Sequence, residues 1–113
     1  ATPAQKIGIN NQLAAMTSPW YIHFVRYNPA ADLQQVRCPV FALFGKHDVQ
    51  VSAELNSQAL EQTYRGKKLQ LKIYPQHNHL MQQCSAPGLE YGKIEQTIDP
   101  AVLSDIAEWI AKR

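Results

Sequence analysis

Long apolar stretches are missing from this 113-residue sequence. No run approaches the roughly 18–20 residues that a membrane-spanning helix needs. A secretory leader pattern is missing too, because Gln5, Lys6, Asn10 and Asn11 break every apolar stretch near the start. A large charge of one sign is also lacking: eleven Lys and Arg against nine Asp and Glu leave +2. Such a field is too weak to gather nucleic acid or an anionic membrane, so neither partner is expected. Cysteine is scarce, and Cys38 and Cys84 alone make no disulfide framework. What is present, 45% hydrophobic and 18% charged residues, is the composition of one globular domain. The chain opens on Ala1 rather than methionine, and the expectation is that a larger N-terminal portion has been removed. The compartment stays open.

Residues 1–30 are expected to form two short helices. Ile9, Leu13 and Met16 keep helical spacing over 4–16, despite Gly8 and Asn10-Asn11. Ser18-Pro19 starts a second helix over 19–27, which Asn28-Pro29 ends. On it Trp20, Phe24 and Tyr27 form an aromatic stripe, read as core packing, with the surface of a substrate lid as the alternative.

Residues 39–44, Pro-Val-Phe-Ala-Leu-Phe, are continuously apolar and closed by Gly45. A run of that length predicts a parallel strand covered on both faces. Ser52 caps a helix over 53–64, with Leu55, Ala59 and Tyr64 inward and Gly66 as its stop. Residues 69–74 alternate, with Leu69, Leu71 and Ile73 on one face and Gln70, Lys72 and Tyr74 on the other, as in a half-exposed strand. Strand, helix, strand makes one right-handed βαβ unit. A strand of six residues is about 20 Å long. Cys38 and Cys84 thus fall at opposite ends, beyond the about 7 Å that a bridge allows, and are expected as free thiols. Residues 75–98 read as a long loop, a length that is usually functional. Asp99-Pro100 then opens a helix over 100–111, with Val102, Ile106, Trp109 and Ile110 as its buried stripe and Lys112 and Arg113 at its C-terminal end.

Two residues stand out by position. Asp48 leaves the first strand and His79 the second, and in open α/β sheets functional groups gather at the carboxyl ends of strands. Adjacent strands are about 5 Å apart, so an acid and an imidazole leaving them can touch. That makes two-thirds of a Ser-His-Asp triad. Each has an ordinary alternative, Asp48 as a turn aspartate and His79 as a loop histidine. His47 and His77 are read as structural or solvent-facing. His77, His79 and Cys84 could face a zinc ion, but no second ligand pair has metal-site spacing, so no metal or cofactor is expected. Cys84 as a nucleophile is set aside, because its loop offers no strained elbow.

Asp48 followed by His79 resembles the last two triad members of the α/β-hydrolase fold in their chain order. The likeness extends through Ser18-Pro-Trp-Tyr21, Tyr27-Asn-Pro29, Arg37-Cys-Pro-Val40, Gly45-Lys-His-Asp48-Val-Gln50-Val51, Asn78-His-Leu80 and Glu90-Tyr-Gly-Lys-Ile-Glu95. Residues 18–113 are similar to the C-terminal part of bacterial serine esterases and of dienelactone-hydrolase-like or peptidase-like hydrolases. Met81 departs from a common phenylalanine, and Gln76-His77 replaces smaller residues. The resemblance implies a partial α/β-hydrolase fold forming a single partial domain over 1–113. In it, residues 1–30 are lid-like and 31–113 supply the C-terminal βαβα.

That family attacks with a Gly-x-Ser-x-Gly elbow. Here only Gly88 and Gly92 have the spacing, and they enclose Leu89-Glu90-Tyr91. No His-Gly-Gly-type oxyanion loop is present either. The expectation is a chain carrying the acid and histidine of a triad, Asp48 and His79. Its parent would cleave a small ester or related acyl substrate, and alone it would be inert. Two alternatives stand beside it. One is an assembly module that forms a homo-oligomer through the open edge of strand 39–44. The other is a half-enzyme complemented by an N-terminal half on another chain.

Overall fold

The computed structural model describes residues 1–64 and 68–112. The chain divides into two compact units, Ala1–Asp32 and Leu33–Arg113.

In the first unit, helix α1 (Pro3–Met16) starts one residue earlier than the spacing predicts. Thr2 and Gln5 form a reciprocal capping box, with Pro3 in the first turn, and these contacts offset Gly8 and the asparagine pair. Helix α2 (Pro19–Arg26) is capped by Ser18, whose hydroxyl accepts from the Tyr21 N–H at 3.2 Å. It ends one residue short of the expected limit, Tyr27 being extended. The aromatic stripe is not core. Trp20 stacks on Phe24 at 5.5 Å, yet Trp20, Phe24 and Tyr27 are all exposed. Neither α1 nor α2 buries a residue, since two short helices cannot close a core between them.

A short helix, α3 (Ala30–Gln35), was not expected from the spacing. Strand β1 (Val40–Gly45) and strand β2 (Leu69–Tyr74) then pair in parallel, Val40 opposite Leu69 through Gly45 opposite Tyr74. Helix α4 (Ala53–Thr63) links them and packs on both, completing the predicted βαβ unit. The fold is α/β in content, a partial sheet with helices. Both cysteines are free, Cys38 exposed and Cys84 half-buried.

Several packing expectations change. β1 is half-buried along Val40–Phe44 rather than covered on both faces, because β2 is its one neighbour among the described residues. Tyr64, just past α4, is buried as expected, but within the helix the buried positions are Ala53 and Ser57, whereas Leu55 and Ala59 are exposed. Small residues let the helix approach the strands, so residue size outweighs apolarity there. The predicted stop at Gly66 lies outside the described residues, as does Arg113. Tyr74 was expected on the exposed face of β2 but is buried. Its ring is covered and its hydroxyl donates to Asp105 of helix α5 (Pro100–Lys112). On α5, Val102 is fully buried and Trp109 stacks on Phe41 at 5.6 Å, while Ile110 is exposed.

Gly45 is where the two strand ends meet. The backbone of the chain returning from β2 passes so close that a Cβ here would lie 2.3 Å from the His77 carbonyl oxygen and 2.8 Å from that of Asn78. Beyond it, the His47 N–H donates to the His77 carbonyl at 3.0 Å and the Lys46 N–H to that of Tyr74 at 2.8 Å. Gly45→Ala has no flexible side chain to push aside. It should cost on the order of 1–3 kcal/mol, read as a lowered urea midpoint; an unchanged midpoint would contradict this packing.

Candidate functional site

Asp48 sits in a tight turn just after β1, its N–H donating to the Gly45 carbonyl at 3.1 Å. Its two carboxylate oxygens divide the work. Oδ1 accepts the N–H groups of Gln50 at 2.8 Å and Val51 at 2.9 Å. Oδ2 lies 2.8 Å from Nδ1 of His79. The turn-aspartate role and the imidazole partner thus coexist on one side chain. The Asp48 side chain is 7% exposed and that of His79 37%. Burial disfavours the Asp48 charge, but the N–H of Val51, the His79 imidazole and the N–H of Gln50 outweigh it, holding the carboxyl below the usual carboxylate range. With Nδ1–H donating to the carboxylate, neutral His79 carries its lone pair on Nε2, the arrangement a general base needs.

The segment after β2, expected as one long loop, is closely bonded. His77 and Gln83 form an antiparallel bridge, and Tyr91–Lys93 form a turn of 3-10 helix. Asn78, which is buried, accepts through Oδ1 from the N–H groups of Leu80 at 3.0 Å and Gln82 at 3.1 Å. Its Nδ2 donates to Gln82 Oε1 at 2.8 Å. Gln82 in turn donates to the Gln96 carbonyl at 2.8 Å. The turn holds Met81 at φ 57°, a left-handed conformation that its hydrogen bonds enforce. His79 therefore stands on a pinned turn rather than a mobile strap.

His77, read as structural or solvent-facing, is buried and pairs with Asp99, Nε2 to Oδ2 at 2.7 Å. Asp99 caps α5 as predicted, accepting from the Ala101 N–H at 2.9 Å. These two contacts, Ala101 first, hold its carboxyl low. Asp105 is likewise held low, by Lys72 and then Tyr74. His47 is half-buried, with Nδ1 3.1 Å from the Cys84 carbonyl oxygen and 3.5 Å from its Sγ. Among the described residues, no group of three or more His, Cys, Asp or Glu is arranged to hold a metal ion. A cleft of about 400 Å³ is lined by Asn78, Cys84, Pro87, Lys93 and Ile94 among others, but Asp48 and His79 are not on its wall. Sequence reasoning missed Asn78 and Gln82; their signal was an amide pair four residues apart around the histidine.

A carboxyl held below its ordinary value contributes stability that is whole above the unfolded value, about 3.9 for Asp. That stability is lost as pH falls through the folded value. Urea midpoints should fall as pH drops below about 4, and Asp48→Asn should flatten part of that fall. An acid limb identical in the variant would contradict the bonding at Asp48.

No helix among the described residues is long and apolar enough to cross a membrane. Comparison with curated proteins and with solved structures found no match. Comparison with protein families did: the model of the dienelactone hydrolase family matches residues 5–108, nearly the whole chain and both strand ends that carry the Asp48–His79 pair. On that match, the chain belongs to the dienelactone hydrolase family, whose members are hydrolases of the α/β-hydrolase type.

Proposed function

We propose that these 113 residues hold the acid and the base of a Ser-His-Asp hydrolase acting on ester or related acyl bonds, with the serine supplied from outside them. The observation that carries the reading is the 2.8 Å contact from Asp48 Oδ2 to His79 Nδ1 at the ends of two parallel strands. In this mechanism Asp48 fixes the tautomer of His79. Nε2 of His79 takes the proton of the attacking serine as its oxygen bonds to the acyl carbon, then returns that proton to the leaving oxygen. The nucleophile elbow and oxyanion donors, which this sequence lacks, are contributed by a further polypeptide segment or by a complementing chain. Oxyanion donors commonly supply the largest part of the acceleration, so the 113 residues alone are inert.

The unpaired edge of β1 supports a docking role in the same scheme. Among the described residues β1 has one neighbour, and an open edge beside apolar side chains favours a further strand. A complementing half would supply that strand; a second copy of the chain is the alternative occupant.

A fluorophosphonate probe should leave the 113-residue chain unlabelled. Mixing it with a polypeptide bearing the missing elbow should produce aryl-ester hydrolysis. Asp48→Asn or His79→Ala should then lower the rate roughly 10⁴-fold. Stoichiometric labelling of the chain alone, or an assembled enzyme indifferent to His79→Ala, would overturn the proposal. Sedimentation of the chain alone separates the two occupants: a mass rising with concentration assigns the edge to self-association, and a constant monomer mass assigns it to the complement.

A further inference from the structure

We infer that Asp99 is a positioning residue for His79, fastening both flanks of the turn that carries the imidazole to the start of α5. The inference rests on reading Asp48 and His79 as the acid and base.

His79 stands two residues after His77 and two before Met81, and Asp99 holds both. Its Oδ2 accepts from His77 Nε2 at 2.7 Å, and its own backbone N–H donates to the Met81 carbonyl at 2.9 Å. The same residue is anchored in the helix, with Oδ1 accepting from the Ala101 N–H at 2.9 Å and its carbonyl from the Val102 N–H at 3.0 Å. Val102, directly behind, is fully buried. The anchor is thus fixed to the core, and the turn is fixed to the anchor. His77 cannot swing away: its side chain is 8% exposed, and its ring packs against that of Tyr74 at 4.9 Å.

The two Asp–His pairs are mirror assignments of one chemistry. His77 donates through Nε2 and His79 through Nδ1, so they present opposite tautomers. Nδ1 of His77 is buried without a hydrogen-bond partner among the described residues, whereas the His79 ring is partly open to solvent. His77, buried and with Nε2 bonded to Asp99, presents no open nitrogen to a substrate. Its position is suited to setting where the open pair sits, and a reacting imidazole must be placed within about 0.5 Å of its productive geometry.

Nitrogen-15 spectra of the 113-residue chain at about pH 8.5, above the ordinary imidazole value near 6.5, read the His79 tautomer directly. Two variants cut the link from opposite ends. Asp99→Ser keeps a capping oxygen and the backbone N–H but releases His77. His77→Phe keeps a ring in the packing and leaves Asp99 on the helix. Ser52→Ala, which removes the cap of α4, is the control for a general loss of stability. The expected result is a single Nδ1–H form of His79 in the parent and in Ser52→Ala, and loss of that single form to a mixture of tautomers in Asp99→Ser and His77→Phe. An unchanged tautomer in both variants overturns the inference. So does an equal loss in Ser52→Ala, or a failure of both variants to fold while the control folds, since each assigns Asp99 to the fold as a whole. A mixture already present in the parent would instead sink the Asp48–His79 reading beneath it.

Discussion

Where β1 ends, two backbones run closer together than any side chain permits. The chain returning from β2 lies against Gly45, and the hydrogen bonds of Lys46 and His47 continue the strand pairing beyond the last paired residues. This approach sets the distance between the turn holding Asp48 and the turn holding His79. A parallel pair alone brings two chain ends within about 5 Å, which is neighbourhood but not a bond. The absent Cβ converts that neighbourhood into the 2.8 Å contact, linking a local choice of residue to the chemistry of the site.

Polar satisfaction does the rest. Asp48 is nearly buried, and a buried carboxylate is costly unless its oxygens are occupied. Two backbone N–H groups take one oxygen and the imidazole takes the other, so the charge is stabilised and aimed at once. On the opposite side, Asn78 and Gln82 satisfy the interior of the His79 turn with their own amides. The left-handed backbone at Met81 is a strain of the kind that surrounding contacts must hold in place. The turn is stiff because several buried bonds fail together if it moves.

Much of the architecture was legible in the residues. The apolar run ending in Gly45, the alternating 69–74 segment and the Ser52 and Asp99 caps fix element type through periodicity and capping, which act locally. Local signals fail where partners come from afar. Leu55 reads as core by hydrophobicity, yet Ala53 and Ser57 face the sheet because space there is small. Tyr74 reads as surface until Asp105, 31 residues on, accepts its hydroxyl proton. Trp20, Phe24 and Tyr27 have the spacing of a packed stripe, but spacing does not say what covers it, and they are exposed. At the site, strand-end logic brought Asp48 and His79 together, while Asp99 was legible as a helix cap and not as the partner of His77, which lies 22 residues away.

The most direct test asks whether Asp48 sets the state of the His79 imidazole. Two-dimensional ¹H–¹⁵N spectra of the chain and of Asp48→Asn, recorded at about pH 8.5, above the ordinary imidazole value near 6.5, follow each ring nitrogen separately. The account predicts that the parent keeps its proton on Nδ1 once the ring is neutral. It also predicts that Asp48→Asn loses that single form, since an amide can donate to Nδ1 where a carboxylate can only accept. The same single tautomer in the two proteins would contradict it.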